Sequence, residues 1–283
     1  MCASPVRKVL GRRLNTAHGL NPKKKIGIST TVVKCKGCGL VYADPLPVPN
    51  SVSDHYGLVP ESYWHEEYFR IPENHFMSEL CRIKHFVPHI GTFLDIGSGI
   101  GKTMRAVENA GIDAYGIEPG EEFRSRAISA MDIDPERISL ASFEDAEFPA
   151  ETFDCVSFGV VLEHLYNPSE SLKKALRWLK PDGVIHIEVP DANYLFSHLF
   201  NAYFRLRLTD YVVNLSPMHN PFHLYEFTHK SFERNGCVNG YRVVHVDRYA
   251  GSTPVAPRLS QVLAPLMDIS KTGMGLVVYL QKA

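Results

Sequence analysis

The stretch LDIGSGIGK, residues 94–102, decides how this chain is read. It sets an aspartate, Asp95, ahead of three glycines, Gly97, Gly99 and Gly101, at every second position. Thr92, Phe93 and Leu94 before it read as a buried strand and Lys102 to Ala110 after it as a helix, so the glycines occupy a strand-to-helix turn. Glycines there let the backbone approach a ligand without Cβ atoms in the way.

Outward from this turn the pattern is regular. Strands over 92–96, 114–118, 137–140, 153–159 and 184–189 are expected, with helices over 101–110, 121–130 and 169–179. That alternation implies a parallel sheet covered on both faces, with right-handed crossovers. In SESLKKALRWLK (169–180) Leu172, Ala175, Leu176 and Leu179 share a helix side. PDG at 181–183 is expected to stop that helix and turn the chain into the strand VIHIEV. Two more strands, 241–249 and 275–281, close the domain.

The flanks differ in composition. DPLPVPN (44–50) cannot be a regular element, because Pro45, Pro47 and Pro49 remove donors and fix φ. After residue 190, Phe196, Leu199, Phe200, Tyr203 and Phe204 fit one face of a helix, which serves core or lid packing, a dimer contact, or a membrane-surface helix with Arg205 and Arg207. The organisation expected is an N-terminal extension over 1–85 and a catalytic domain over 86–283, with an aromatic cap inserted at about 192–235.

Composition limits the function classes. Of 283 residues 45% are hydrophobic and 22% charged, as in a soluble enzyme. A net charge of -1 gives no reason to expect nucleic acid as a partner, and Lys23 to Lys25 read as a solvated loop. No apolar run approaches the roughly 18 residues of a membrane span. The start, MCASPVRKVLGRR, lacks the apolar core of a secretory signal. The expectation is a cytoplasmic protein with a small-molecule acceptor and no stable membrane insertion, a homodimer being left open. Six scattered cysteines suit reduced thiols better than disulfides.

The ligand follows from two acids. A dinucleotide fingerprint fails here, since Lys102 stands beyond the Gly97, Gly99, Gly101 spacing. A carboxylate at Asp95 favours a cationic group over a phosphate. Glu118, at the end of the next strand in GIEPG, can accept both hydroxyls of a ribose. An amino acid joined to a nucleoside satisfies both.

With these residues in place, the segment from about 90 to 190 resembles the class I S-adenosyl-L-methionine-dependent methyltransferases. LDIGSGIGK looks like their first motif and YGIEPG like their ribose-binding acid, and residues 143–191 resemble their adenine, fourth-strand and fifth-strand segments in order. The resemblance implies a Rossmann-like α/β fold with a seven-stranded sheet, mostly parallel with one antiparallel strand. It places Asp95, Gly97, Ser98 and Gly99 around the methionine part of the cofactor and Glu118 with Pro119 at the ribose. Ser142 and Phe143 fall at the adenine, and Phe158 with Gly159 form the inner wall.

Methyl transfer to an alcohol needs a base, worth on the order of 10²- to 10⁴-fold. LEHL (162–165) sets Glu163 and His164 just past the fourth strand, where His164 is a candidate base or the pair fixes a loop. In SPMHNPFHLYEFTHKSF (216–232), Pro221 to His223 match a segment that overhangs the acceptor pocket in similar enzymes, making His223 a second candidate beside His219, Tyr225 and Glu226. Related ubiquinone-pathway enzymes carry an added acid where this chain has Val160, and Pro221 interrupts a helical His219/His223 pair. No metal is therefore assigned. Asp191 and Asn193 orient the acceptor or lie in a surface loop.

Cys35 and Cys38 in VKCKGCGLVYADPLP (33–47) resemble the second knuckle of a four-cysteine zinc ribbon that precedes many sugar and natural-product methyltransferases. Upstream only Cys2 remains, with His18 as another donor, so a degenerate ribbon that still packs is expected. The function expected is O-methylation of a small hydroxylated acceptor, a sugar or nucleotide-linked sugar. N- or C-methylation of a natural product or lipid, an NAD(P)-dependent oxidoreductase and a non-catalytic nucleoside-binding protein are the alternatives.

Overall fold

The computed structural model describes residues 1–2, 4–15, 28–48, 70, 72, 74–218, 222–251 and 257–283. His18, Lys23 to Lys25, Pro49, His219 and Pro221 lie outside the described residues. Two compact units divide the chain: Pro49–Val161 with Glu170–Ile187 and Tyr279–Ala283, and Met1–Val48 with Leu162–Ser169 and Glu188–Val278.

In the first unit β4 (Thr92–Ile96), β5 (Asp113–Glu118), β6 (Ile138–Leu140) and β7 (Phe153–Gly159) run parallel, β4 pairing with both β5 and β7 and β5 with β6. Phe93, Leu94, Phe153, Val156 and Phe158 are almost fully buried on these strands. Each such side chain contributes roughly 1.5–3 kcal/mol relative to exposure. The run is apolar on both faces because helices cover both. α2 (Lys102–Asn109) starts at Gly101, whose φ is 77°, and buries Met104 and Val107 one turn apart. α3 (Glu121–Met131) buries Phe123, Ala127 and Met131 by the same spacing. α1 (Met77–Phe86) and α4 (Pro168–Trp178) complete the helices near this sheet.

The larger sheet has seven strands in the order β10-β11-β8-β7-β4-β5-β6, with β8 over Leu179–Pro190, β10 over Tyr241–Tyr249 and β11 over Gly275–Lys282. It is mostly parallel with one antiparallel strand. The expected turn at PDG is not there: β8 begins directly after α4 and runs through Pro181, Asp182 and Gly183. A Cβ on Gly183 would lie 2.8 Å from Leu179 and 2.9 Å from the Asp154 carbonyl. This glycine admits a close backbone approach within a strand rather than a reversal.

The second unit contains a four-stranded antiparallel sheet, β1 (Arg7–Asn15), β2 (Ile28–Cys35), β3 (Val41–Ala43) and β9 (Tyr225–Glu226), in the order β1-β2-β3-β9. α6 (His229–Asn239) starts on a capping box, Thr228 Oγ1 accepting from the Ser231 N–H at 3.1 Å, and stops at Gly240 with φ 73°. α5 (Leu195–Leu206) is the expected aromatic helix, but its inward face is not the apolar stripe. Phe196 is buried, whereas Leu199 and Tyr203 are exposed. Asn201 is buried instead, donating to Asn214 Oδ1 at 2.8 Å and accepting from the Val213 N–H at 2.9 Å. α7 spans Pro257–Ser270.

Candidate functional site

The strand ends of the first unit carry the glycine turn and the two acids. Glu118 is the brace between two turns: one carboxylate oxygen accepts the Gly99 N–H and the other the Gly120 N–H, both at 2.8 Å. Burial pushes its carboxyl up to about 7, against those two donors. Asp95 is 5% exposed, and burial, then the charge of Glu118, push it up to about 8. Burial raises both acids and the charge of Glu118 raises Asp95 further; a positive group bound nearby would return both toward the ordinary carboxylate range.

The glycines have separate reasons. Gly97 has φ 66° and a Cβ there would lie 2.6 Å from Val161 Cγ2, so both backbone and space require glycine. Gly99, at φ 54°, and Gly159 face open space with nothing within 4 Å. Ser98 is buried, its N–H donating to the Ile117 carbonyl at 3.0 Å, and its hydroxyl has no partner among the described residues. Open backbone at Gly99 and Gly159 beside a buried acid pair fits a cationic aminoacyl nucleoside and does not fit a pyrophosphate.

Other expected cofactor residues have prior engagements. Phe143 and Phe158 are buried with ring centroids 5.7 Å apart, and Phe143 also meets Trp178 edge-on at 5.5 Å. Their rings belong to the core, which leaves main-chain atoms to any ligand. Ser142 Oγ donates to Asp145 at 2.7 Å and accepts its N–H at 3.1 Å, closing a local turn. Pro119 is half-buried between Glu118 and Gly120.

In the second unit a 3₁₀ turn, Leu162–His164, begins three residues after the end of β7. It is held by the Leu224 N–H, which donates to the Glu163 carbonyl at 2.9 Å. This bond brings together residues 59 and 60 positions apart: Glu163 Oε1 lies 4.0 Å from His164 Nε2 and 3.8 Å from His223 Nε2, and the imidazoles meet edge-on at 5.1 Å. Among the described residues neither Glu163 oxygen has a hydrogen-bond partner, and burial pushes this carboxyl up to about 8. Burial, then His164, push His223 down to about 3, so its ring is neutral at physiological pH. His223 is fixed by its backbone, which exchanges bonds with Ser216 at 3.0 and 3.1 Å.

Both arms of this cluster are strained. Val160, just past β7, has φ 59° and Phe222, before His223, also has φ 59°. A non-glycine residue in this region costs of order 1–3 kcal/mol, and such strain gathers at functional sites. Sequence reading anticipated both histidines but not the burial of Glu163 between them. Asp191 is committed elsewhere: it is buried, pairs with Arg248 at 2.8 Å and accepts the Asn193 N–H at 2.8 Å. Glu226 likewise holds Asn214 and the Leu215 N–H, and Tyr225 donates to the Tyr166 carbonyl at 2.8 Å.

Cys2, which the sequence offered with His18 as an upstream donor, has its sulfur within 4.8 Å of those of Cys35 and Cys38, and ligand atoms of Glu163, His164 and His223 converge within the same distance. All six cysteines are free.

Known proteins resemble this chain in sequence and in fold. A family model described as a methyltransferase domain matches residues 72–246, well over half the chain. The chain is 29% identical over 126 residues to a ubiquinone/menaquinone biosynthesis C-methyltransferase of Geotalea daltonii, covering 40% of this chain and 52% of that protein. It is 27% identical over 127 residues to a ubiquinone biosynthesis O-methyltransferase of Photobacterium profundum, covering 41% and 54%. The chain thus spans about half the length of the curated relatives it matches. In fold it resembles a SAM-dependent methyltransferase from Archaeoglobus fulgidus, with a TM-score of 0.52 at 18% identity over 77% of this chain and 97% of that one. A second, from Mesorhizobium loti, has a TM-score of 0.52 at 16% identity, covering 72% and 98%.

Proposed function

The chain belongs to the methyltransferase-domain family and uses S-adenosyl-L-methionine, and on that premise we propose that it methylates a hydroxyl oxygen of a small-molecule acceptor. The observation that carries this reading is the buried cluster of Glu163, His164 and His223, in which one carboxyl oxygen lies 4.0 and 3.8 Å from two imidazoles. When bound, the cofactor supplies an electrophilic methyl group on a sulfonium.

Glu118 takes the two ribose hydroxyls, because each of its oxygens accepts one backbone N–H and keeps further acceptor capacity. Asp95 holds the cationic amino-acid end, and the main chain of Gly97, Ser98 and Gly99 follows it. Pro119 packs beside the ribose. Residues 142 and 143 meet the base through their main chain, and Gly159 leaves the inner wall open. On the acceptor side, His223 or His164 removes the hydroxyl proton. Glu163, pushed up to about 8, must first release its own proton to solvent; its carboxylate then raises the neighbouring imidazole from its depressed value and stabilises the imidazolium that forms when the hydroxyl proton arrives.

The acceptor expected from sequence is a sugar or nucleotide-linked sugar. The quinone-pathway names of the relatives add phenolic hydroxyls, so the test is a panel of both classes with S-adenosylhomocysteine formation as readout. His223→Ala and His164→Ala are expected to show at least one variant with kcat reduced on the order of 10²-fold or more and unchanged cofactor affinity. A double variant with wild-type turnover refutes the base assignment.

A further inference from the structure

We propose that the cavity bounded by β1, β2 and α5 in the second unit binds a phosphate group, free or esterified, through Lys8, Lys34 and Arg205. The cavity volume is about 230 Å³. Pockets that enclose a whole drug-sized ligand run to roughly 300–1,000 Å³, so this one admits a phosphate or diphosphate and leaves the rest of a larger molecule outside.

Strand register brings the lysines together. Lys8 of β1 stands directly opposite Lys34 of β2, and Lys34 opposite Val41 of β3, so the two lysine side chains leave the same face of the sheet. Like charges at directly opposed positions destabilise an antiparallel pair, and an anion between them turns that repulsion into attraction. α5 contributes from the other side. His198, Asn201 and Arg205 stand at i, i+3 and i+7 and share one helix face, and all three line the cavity. The polar stripe of α5, not its aromatic one, thus faces this space.

The local field is positive. Partial burial, then the charge of Lys34, hold His198 below its ordinary range; Arg205 acts in the same direction and Asp191 against it. Asp191 is itself paired with Arg248 at 2.8 Å. Glu226, opposite Val41 at the far end of the lysine row, accepts from Asn214 and from the Leu215 N–H.

The floor is built of donors. The Val213 N–H donates to Asn201 Oδ1 at 2.9 Å, Asn201 Nδ2 to Asn214 Oδ1 at 2.8 Å, and Asn214 Nδ2 to Glu226. These bonds engage both amide oxygens and one N–H of each amide, so each buried asparagine keeps a second N–H. Leu10, Val41 and Ala192 supply apolar walls, which strengthen the attraction between a bound anion and the cations. A guanidinium at Arg205 can take two phosphate oxygens at once. Asn214 also stands two residues before Ser216, whose backbone exchanges bonds with that of His223, so the cavity floor and a candidate base share one segment. A nucleotide-linked sugar carries a diphosphate and a simple phenol does not; the site therefore bears on the class of acceptor, whichever histidine is the base.

The test is calorimetry on the full chain at low ionic strength, with saturating S-adenosylhomocysteine present to keep nucleotides out of the glycine-turn site. Pyrophosphate is expected to bind once per chain with a Kd below about 1 mM, and more weakly as salt is added. Lys8→Met and Lys34→Met, which keep an apolar stem, are each expected to weaken it on the order of 10-fold, and the double variant to abolish it. Lys84→Met, at an exposed lysine on α1, is expected to leave the Kd unchanged. Without anion, the double variant should unfold no earlier than wild type, since the repulsion is gone, so lost binding is distinguished from lost fold. Uridine diphosphate binding at least tenfold tighter than pyrophosphate assigns the group to a nucleotide, and equal or weaker binding to a free anion. Three results overturn the proposal: no saturable binding of inorganic phosphate, pyrophosphate or uridine diphosphate to the wild-type chain, wild-type affinity in the double variant, or equal weakening by Lys84→Met.

Discussion

Replacing Glu118 tests the reading at its base. Its two oxygens accept the Gly99 and Gly120 N–H groups at 2.8 Å, and the proposed ribose hydroxyls would use the remaining lone pairs. A hydrogen bond to a charged acceptor is worth roughly 1.5–3 kcal/mol. Glu118→Gln keeps one acceptor oxygen, so it should weaken S-adenosylhomocysteine binding about 10- to 150-fold, and Glu118→Ala, which loses both, by more than about 150-fold. The pH dependence gives an independent reading. Unliganded Glu118 is pushed up to about 7, and hydroxyl donors bind its ionised form, so ligand binding releases a proton below that pH. Affinity should therefore rise as pH climbs toward 7 and then level as far as this group is concerned. Calorimetry in two buffers of different ionisation enthalpy measures the proton count directly. Glu118→Gln should lose this proton while any contribution of Asp95, pushed up to about 8, persists. A Kd within twofold of wild type, with the same proton release, would show that the carboxylate braces the turns only and contacts no ligand.

Further outcomes follow from the same geometry. Glu163→Gln should lower kcat and shift its acid limb while leaving KM for the cofactor unchanged, since the amide cannot ionise beside a charged imidazole; an unaltered pH profile would remove Glu163 from proton handling. Gly97→Ala sets a methyl 2.6 Å from Val161 Cγ2 at φ 66°, and thermal unfolding should show a loss of roughly 1–3 kcal/mol that Val161→Ala relieves only in part. His186 is buried against Ser157 Oγ at 3.0 Å and pushed down to about 4, below its unfolded value near 6.5. Its stabilising contribution is thus fully present above pH about 6.5 and lost as pH falls, by up to about 1.4 kcal/mol per unit. His186→Phe should flatten the acid side of a stability-versus-pH curve, and an unchanged slope would contradict the burial argument.

What the sequence disclosed and what it withheld have different physical origins. Strands β4 and β7 were legible to the residue, because an apolar run ending in glycine is a local signal. The acids Asp95 and Glu118 were legible too, since each ends a strand of the parallel sheet and sheet topology alone fixes which end of the strands they share. PDG failed as a turn because its propensity is local while the β8 ladder and the Asp154 carbonyl packed on Gly183 are not. The packing of Phe143 was not legible for a related reason: position along the chain does not say that Trp178 meets its ring edge-on. The histidine cluster and the three thiols lie beyond any periodicity. One depends on the backbone bond from Leu224 to Glu163 and on the bonds that tie His223 to Ser216, the other on Gly37 letting the first residues of the chain lie against a knuckle more than thirty positions away. A motif search finds Glu163, His164, Cys35 and Cys38 as pairs, but their chemistry is set by third members, His223 and Cys2, whose placement is a property of the folded unit. The strained φ of Val160 and Phe222 points the same way: neither sequence position announces a left-handed residue, and each adopts one where the chain turns toward Glu163.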